Sequence, residues 1–233
     1  MATITNSELE PYARQRNLKC DRRSSKLPFI LCFNRYHHLA PLQSLDVLPG
    51  QYNGYGLLTS KLSVSRAPSL KSLRFISSKY ITNEGLLEAL NKFPVLEELE
   101  LSLCKHVFGK VYEGIGIACP RLKCLKVNYP CFYNIEDIEY NKDQEALGIA
   151  TMFVLHSLQL FGSELTNIGL ATILDNCPHL EYLDIRHCFN IHMDITLRAK
   201  CARIKTMRLP HDSTDDYEFQ IENPVRTRAR KPR

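Results

Sequence analysis

Tryptophan is absent from this chain of 233 residues, and glycine and proline are sparse, at 10 and 12 residues. Too little glycine excludes a collagen-like repeat, and too little of both excludes a proline-rich, low-complexity chain. Long apolar runs are also missing. The longest, LPFIL at Leu27–Leu31 and ALGIATMFVL at Ala146–Leu155, fall short of the roughly 20 residues that cross a bilayer. Met1–Ser25 carries Glu8, Glu10, Arg14, Arg16, Lys19, Asp21, Arg22 and Arg23 with no apolar centre, which is not the build of a secretory leader. No membrane partner is expected, and the chain is expected in the nucleus or the cytoplasm. CxxC pairs are lacking too: the nine cysteines are odd in number and scattered, so reduced, buried thiols are expected in place of a disulfide framework.

What is present is an apolar content of 44%, enough for a sizeable core. The net charge of +5 is concentrated at the ends. Met1–His38 holds seven Lys or Arg against three acids, and the stretch after Glu222 holds five against none, which leaves the body with more acids than bases.

The body repeats itself. The triplet LxxLxL of Leu180, Leu183 and Ile185 recurs as Leu42/Leu45/Val47, Leu70/Leu73/Phe75, Leu96/Leu99/Leu101, Leu122/Leu125/Val127, Leu155/Leu158/Leu160 and Ile204/Met207/Leu209, with first positions 28, 26, 26, 33, 25 and 24 residues apart. Pro68, Pro94, Pro120 and Pro178 stand two places before a first position, Cys119 and Cys177 three before, and Cys104 and Cys188 eight after. Behind the triplets come Ile81-Thr82-Asn83-Glu84-Gly85-Leu86 and Leu165-Thr166-Asn167-Ile168-Gly169-Leu170, each a helix start that Thr or Asn can cap. Leu86, Leu87, Leu90 and Phe93, and likewise Ile168, Leu170, Ile173 and Leu174, then line one helical face, with Glu84 and Glu88 opposite. Each unit is a short strand, a turn and a helix. Such a unit buries its apolar side only by stacking on its neighbours, so the expected fold is an α/β leucine-rich-repeat solenoid of about seven units, parallel strands on the concave face and helices on the convex face.

The densest cluster of ligand-type residues is NCPHLEYLDIRHC at Asn176–Cys188, with two cysteines and two histidines. Cys177 and Cys188 sit at repeat positions that recur at Cys119 and Cys104 without matching histidines, and a zinc site would need ligands at set spacings such as CxxC with HxxxH. The repeat accounts for these cysteines, and no metal is expected. GKVYEGIG at Gly109–Gly116 lacks the GK[ST] ending of a phosphate loop, and His37, His38, His106, His179, His187 and His192 are spread over different units. No catalytic residue, cofactor or enzymatic activity is expected.

The composite pattern, Cys-Pro-x-Leu-x-x-Leu-x-Leu-x-x-Cys followed by Ile/Leu-Thr-Asn-x-Gly-Leu, resembles the cysteine-containing class of leucine-rich repeats found in F-box proteins, the substrate-recognition subunits of cullin-based ubiquitin ligases. LEELELSLC at Leu96–Cys104, NCPHLEYLDIRHCFNI at Asn176–Ile191 and LPHDSTDDYEF at Leu209–Phe219 are similar to a group of short plant F-box/leucine-rich-repeat proteins. The resemblance implies recognition of a protein substrate within an SCF-type ligase. It also implies a preceding F-box, a three-helix segment that begins near a Leu-Pro, contains a characteristic Trp and binds a Skp1-type adaptor. Leu27-Pro28 offers the Leu-Pro, but no Trp follows and only Cys32–Pro41 separates LPFIL from the first repeat. The expected organisation is therefore an irregular basic segment without an intact F-box over 1–38, the repeat domain over 39–211 and a disordered basic tail over 212–233. Adaptor binding is expected to be weak or absent, and the alternative to a ligase subunit is a free-standing interaction module.

Strand side chains alternate, so residues between the core leucines face the concave surface. The expected protein-binding strip comprises Arg74, Glu98, Glu100, Lys126, Asn128, Gln159, Phe161, Tyr182, Asp184, Arg186 and Arg208. Mixed charges with Tyr, Phe and Arg suit a protein partner, while a phosphate backbone calls for a surface of one sign; nucleic acid is not an expected partner. Two segments break the period. Tyr129–Asp143 is an inserted loop whose aromatics and acids suit either partner choice or a tolerated surface insertion, and VRTRARKPR at Val225–Arg233 has the composition of a nuclear-import signal or of a nonspecific nucleic-acid contact.

Overall fold

The computed structural model describes residues 44–47, 69–78, 81–129 and 142–217. Seven parallel strands form one sheet in which spatial order equals chain order. They are β1 (Ser44–Val47), β2 (Ser72–Ile76), β3 (Glu98–Ser102), β4 (Cys124–Asn128), β5 (Ser157–Phe161), β6 (Tyr182–Asp184) and β7 (Thr206–Arg208). A parallel neighbour needs a crossover, and here the described crossovers carry α1 (Asn83–Leu90), α2 (Val111–Ala118), α3 (Gln144–Ile149), α4 (Asn167–Asn176) and α5 (Ile195–Cys201). Each helix packs on the next. Helices this short are marginal alone and are held by that stacking. The architecture is an α/β leucine-rich-repeat solenoid.

The register follows the triplets. Leu45, Leu73, Leu99, Leu125, Leu158, Leu183 and Met207 pair in one ladder across the sheet, and Phe75, Leu101, Val127 and Leu160 in a second. Together with the first-position leucines Leu70, Leu96, Leu122, Leu155 and Leu180 they lie in one continuous core, with half-buried Met207 packed against its end. Each buried leucine contributes about 2 kcal/mol of transfer free energy, so the ladder is the main source of cohesion.

The Thr-Asn-x-Gly-Leu motif divides its work among its residues. Thr82 accepts a hydrogen bond from the Gly85 N–H, and Thr166 one from the Ile168 N–H, each capping its own helix. The asparagines reach into the next unit: Asn83 donates to the Phe108 carbonyl and accepts from the Phe108 N–H, and Asn167 repeats this with His192. Ile168, expected on the buried helical face, is exposed; it occupies the place of the exposed Glu84 in the companion motif. Asp194 caps α5 through the Leu197 N–H, a cap outside the motif that the sequence reading did not single out.

The turns leaving β2, β3, β5 and β6 bend through the left-handed region seven residues after the first leucine, at Ser77, Leu103, Gly162 and His187. Only one of these is glycine, so the repeat geometry imposes the conformation on side-chain-bearing residues at a modest cost. Just beyond the bend, Cys104 donates its thiol to the Phe75 carbonyl and Cys188 to the Leu160 carbonyl, each reaching the strand of the preceding unit.

Candidate protein-binding surface

The inner face of the sheet, opposite the helices, is built from the residues between the core leucines. The register sets Arg74, Glu100, Lys126, Gln159, Asp184 and Arg208 in one row, and Ser72, Glu98, Cys124, Ser157, Tyr182 and Thr206 in the row beside it. Asn128 and Phe161 pair in a third row, which Arg186 extends beyond β6.

These residues are less open than alternation alone implies. Glu98 and Lys126 are exposed, and Arg74, Gln159, Tyr182 and Arg208 are half-buried. Glu100, Asn128, Phe161, Asp184 and Arg186 are buried, which corrects the expectation that the whole strip meets solvent. Polar groups removed from water need partners, and the structure supplies them in two clusters.

The first cluster crosses β2 to β5. Arg74 Nε donates to Glu100 at 2.8 Å, and Ser102 donates to Glu100 at 2.6 Å. Asn128 Nδ2 donates to Ser102 Oγ at 2.7 Å, and Gln159 Nε2 donates to Asn128 Oδ1 at 2.5 Å. Ser102 is the link that the sequence reading missed, because a small hydroxyl at the end of a strand carries no periodic signal.

The second cluster lies over β5 to β7. Arg186 is forked onto Asp184, with Nη2 at 2.8 Å and Nε at 3.1 and 3.2 Å from its two oxygens. Asp184 is 0% exposed, and its hydrogen bonds hold the guanidinium pKa above the ordinary arginine range. Arg186 Nη1 also donates to the Ser213 carbonyl at 2.9 Å and to Asp216 at 2.5 Å. Arg208 Nη2 donates to the other Asp216 oxygen at 3.2 Å. The Tyr217 ring stacks on Phe161 with centroids 3.8 Å apart and planes 9° from parallel, and the Arg186 guanidinium lies 5.9 Å from the Phe161 ring. Phe161, His187, Phe189 and His211 continue as a row of neighbouring rings. Burial, with Arg186 and His211 nearby, pushes the His187 pKa down.

Ser213, Asp216 and Tyr217 are therefore docked on the inner face, within the stretch from 212 onward for which the composition leads one to expect a disordered tail. The signal was present in LPHDSTDDYEF, which resembles the family through Phe219. The basic segments 1–38 and 225–233, and residues 130–141 of the insertion, lie outside the described residues. At the base of that insertion, Tyr129 shares a hydrogen bond with Tyr112 at 3.0 Å and donates to buried Glu145.

The cysteines and histidines of Asn176–Cys188 do not converge. Cys177 donates to the Ile149 and Met152 carbonyls, Cys188 bonds to Leu160, and His179 stacks on His156. Among the described residues no three potential ligands gather around a point, and no helix is long and apolar enough to cross a membrane.

The chain is 46% identical over 159 residues to F-box/LRR-repeat protein 22 of Arabidopsis thaliana, a match covering 67% of this chain and 49% of that protein. The chain is a homologue of the Arabidopsis F-box/LRR-repeat proteins. F-box/LRR-repeat protein 21 of the same plant is 37% identical over 197 residues, covering 78% of this chain and 64% of that one. This F-box/LRR homologue spans about half the length of the curated relatives it matches. No family model matches the chain. An internalin of Listeria monocytogenes superposes with a TM-score of 0.46 at 19% identity, covering 72% of this chain and 41% of the internalin. Homology and fold together make this a leucine-rich-repeat module of the protein-interaction kind.

Proposed function

We propose that this module recognises a protein substrate for an SCF-type ubiquitin ligase, with the inner face of the sheet as the recognition surface. The observation that carries the reading is the 46% identity to an F-box/LRR-repeat protein over 159 residues. The mixed signs of the exposed face agree with it: acidic Glu98 and basic Lys126 stand on the adjacent strands β3 and β4, and half-buried Arg74 on β2, Tyr182 on β6 and Arg208 on β7 share the face. Such a surface gives a protein partner complementary charge and aromatic anchors. The place of action would be the nucleus or cytoplasm.

The test is affinity purification of the tagged chain from cells. The ligase reading requires a Skp1-type adaptor and a cullin to co-purify, against the weak or absent adaptor binding expected from residues 1–38, together with a protein whose capture is lost when Glu98→Lys and Lys126→Glu are introduced. Capture of that protein with neither adaptor nor cullin would replace the ligase subunit by a free-standing interaction module.

A further inference from the structure

The last described residues lie across the solenoid's own inner face, and the two sides of that contact are built differently. On the receiving side, the Arg186 side chain is 5% exposed and clamped by Asp184, which is fully buried; Phe161 is buried beside it. On the covering side, Asp216 is 53% exposed, with its carboxylate held by Arg186 and Arg208. The receiving groups are thus fixed by the sheet, while the covering groups, among them a carboxylate, a ring and the Ser213 carbonyl, sit on a strap laid over it. The charges count the same way. Asp184 balances one of the two guanidinium groups, and the second positive charge is met by Asp216.

We propose that Phe161, Arg186 and Arg208 form a seat for a carboxylate followed directly by an aromatic ring, filled here by Asp216-Tyr217, and that a partner segment with an acid next to an aromatic residue takes this seat by displacing the strap. The proposal rests on the reading that the inner face binds a protein, and it names the chemistry of the segment bound. An aspartate or glutamate shared between the two guanidinium groups makes charge-assisted bonds, and the neighbouring ring gains stacking on Phe161. A tethered strap competes at an effective concentration in the millimolar range, so it lowers the apparent affinity for an outside segment by the fraction of time the seat is open. The strap therefore sets a threshold: a partner presenting only the acid or only the ring does not displace it.

The test uses the full chain and a fluorescently labelled peptide of Ser213–Phe219, Ser-Thr-Asp-Asp-Tyr-Glu-Phe, read by anisotropy. Introducing Asp216→Ala with Tyr217→Ala opens the seat, and the peptide should bind this variant at least about tenfold more tightly than the unchanged chain. Asp216→Asn alone, which keeps the side-chain volume, should show a smaller gain in the same direction. Adding Arg208→Gln to the opened chain should weaken the peptide by about fivefold or more, in line with the loss of a charge-assisted bond. A peptide carrying the same two alanines should not bind. Equal binding to the opened and unchanged chains overturns the proposal, as does no binding to an opened chain that still melts cooperatively. Unfolding of the sheet in both strap variants also overturns it, because the strap would then be a terminal cap of the solenoid. Adaptor co-purification is a separate readout, so failure of the ligase assignment leaves the seat intact, and failure of the seat leaves the ligase assignment standing.

Discussion

Asp143 stands immediately ahead of α3, yet its carboxylate accepts from the N–H and the hydroxyl of Thr166, both at 2.7 Å, at the start of α4. One side chain thus serves the neighbouring unit. Asp143→Ala should cost about 1–2 kcal/mol in urea unfolding, the range for losing a helix-start acceptor. Gly169 lies against this carboxylate, where an added Cβ would collide with Asp143 Oδ1. Gly169→Ala should therefore destabilise the unchanged chain more than it destabilises the Asp143→Ala chain. A double-mutant cycle measures the difference, and strictly additive costs would contradict the contact.

Asn83 and Asn167 make the same paired bonds to the next unit from two separate repeats. Asn83→Ala and Asn167→Ala should each cost roughly 1 kcal/mol, and the double variant should show the sum, because the sites share no partner. Thermal melts of the three variants check this. Hydrogen exchange should quicken at the Phe108 and His192 amides in the respective variants.

The core register makes a sharper distinction between neighbours. Leu99 and Leu183 are fully buried, whereas Glu98 is exposed. Leu99→Asp or Leu183→Asp should destabilise the fold by several kcal/mol, because each buries an unpaired carboxylate. Glu98→Ala should stay within about 0.5 kcal/mol. The opposite order in thermal melts would mean the register is wrong.

Burial pushes the thiols of Cys104 and Cys177 up to about 11 and those of Cys119 and Cys188 up to about 12. A raised pKa leaves the group as a thiol at neutral pH, and the thiolate is the nucleophile. Brief iodoacetamide treatment of the native chain at pH 7.5, read by mass spectrometry, should leave these four unmodified. The same treatment in urea should label them. Rapid native labelling of Cys188 would show that its pocket opens.

The strap carries its own pH dependence. The hydrogen bond from Arg186 holds the Asp216 carboxyl below the usual range. A carboxyl depressed in the folded state contributes stability above its unfolded value, near pH 4, and loses it as pH falls through the folded value. The strap should therefore be seated at neutral pH and released below about pH 4. Stacking on Phe161 should shift the Tyr217 ring protons upfield in NMR spectra, and this shift should collapse on acidification. In Asp216→Asn the shift should be smaller and independent of pH over that window.

Sequence periodicity carries information about backbone register and very little about what covers a surface. Every core ladder, from Leu45 to Met207, was legible because leucine spacing reports which way a strand side chain points. The helix starts at Thr82 and Thr166 were legible because capping has its own residue signature. The burial of Glu100, Asn128, Asp184 and Arg186 was not: the i, i+2 pairs Glu100–Ser102 and Asp184–Arg186 share a strand face by alternation alone, and what closes over them, Arg74, Gln159 and Asp216, comes from other strands and from the strap, which no local pattern encodes. Ser213–Tyr217 has no apolar period and reads as tail, yet two of its side chains, Asp216 and Tyr217, complete the surface. Asp194 caps α5 in a unit without Thr-Asn-x-Gly, so its role could be found only by taking the Asp-x-x-Leu spacing as a helix start.

The chain of bonds from Arg74 through Glu100, Ser102 and Asn128 to Gln159 also bears on how a partner is chosen. Long polar side chains normally surrender about 1–2 kcal/mol of rotamer entropy each when an interface immobilises them. Here much of that loss has already been taken in folding, so the central patch meets any partner as a stiff template that rewards shape match. Glu98 and Lys126 lie outside the chain and keep their torsional freedom, and they can adjust to partners of differing charge. Variation among homologous surfaces should accordingly be tolerated at the positions of Glu98 and Lys126 and should come in coordinated sets along the bonded row.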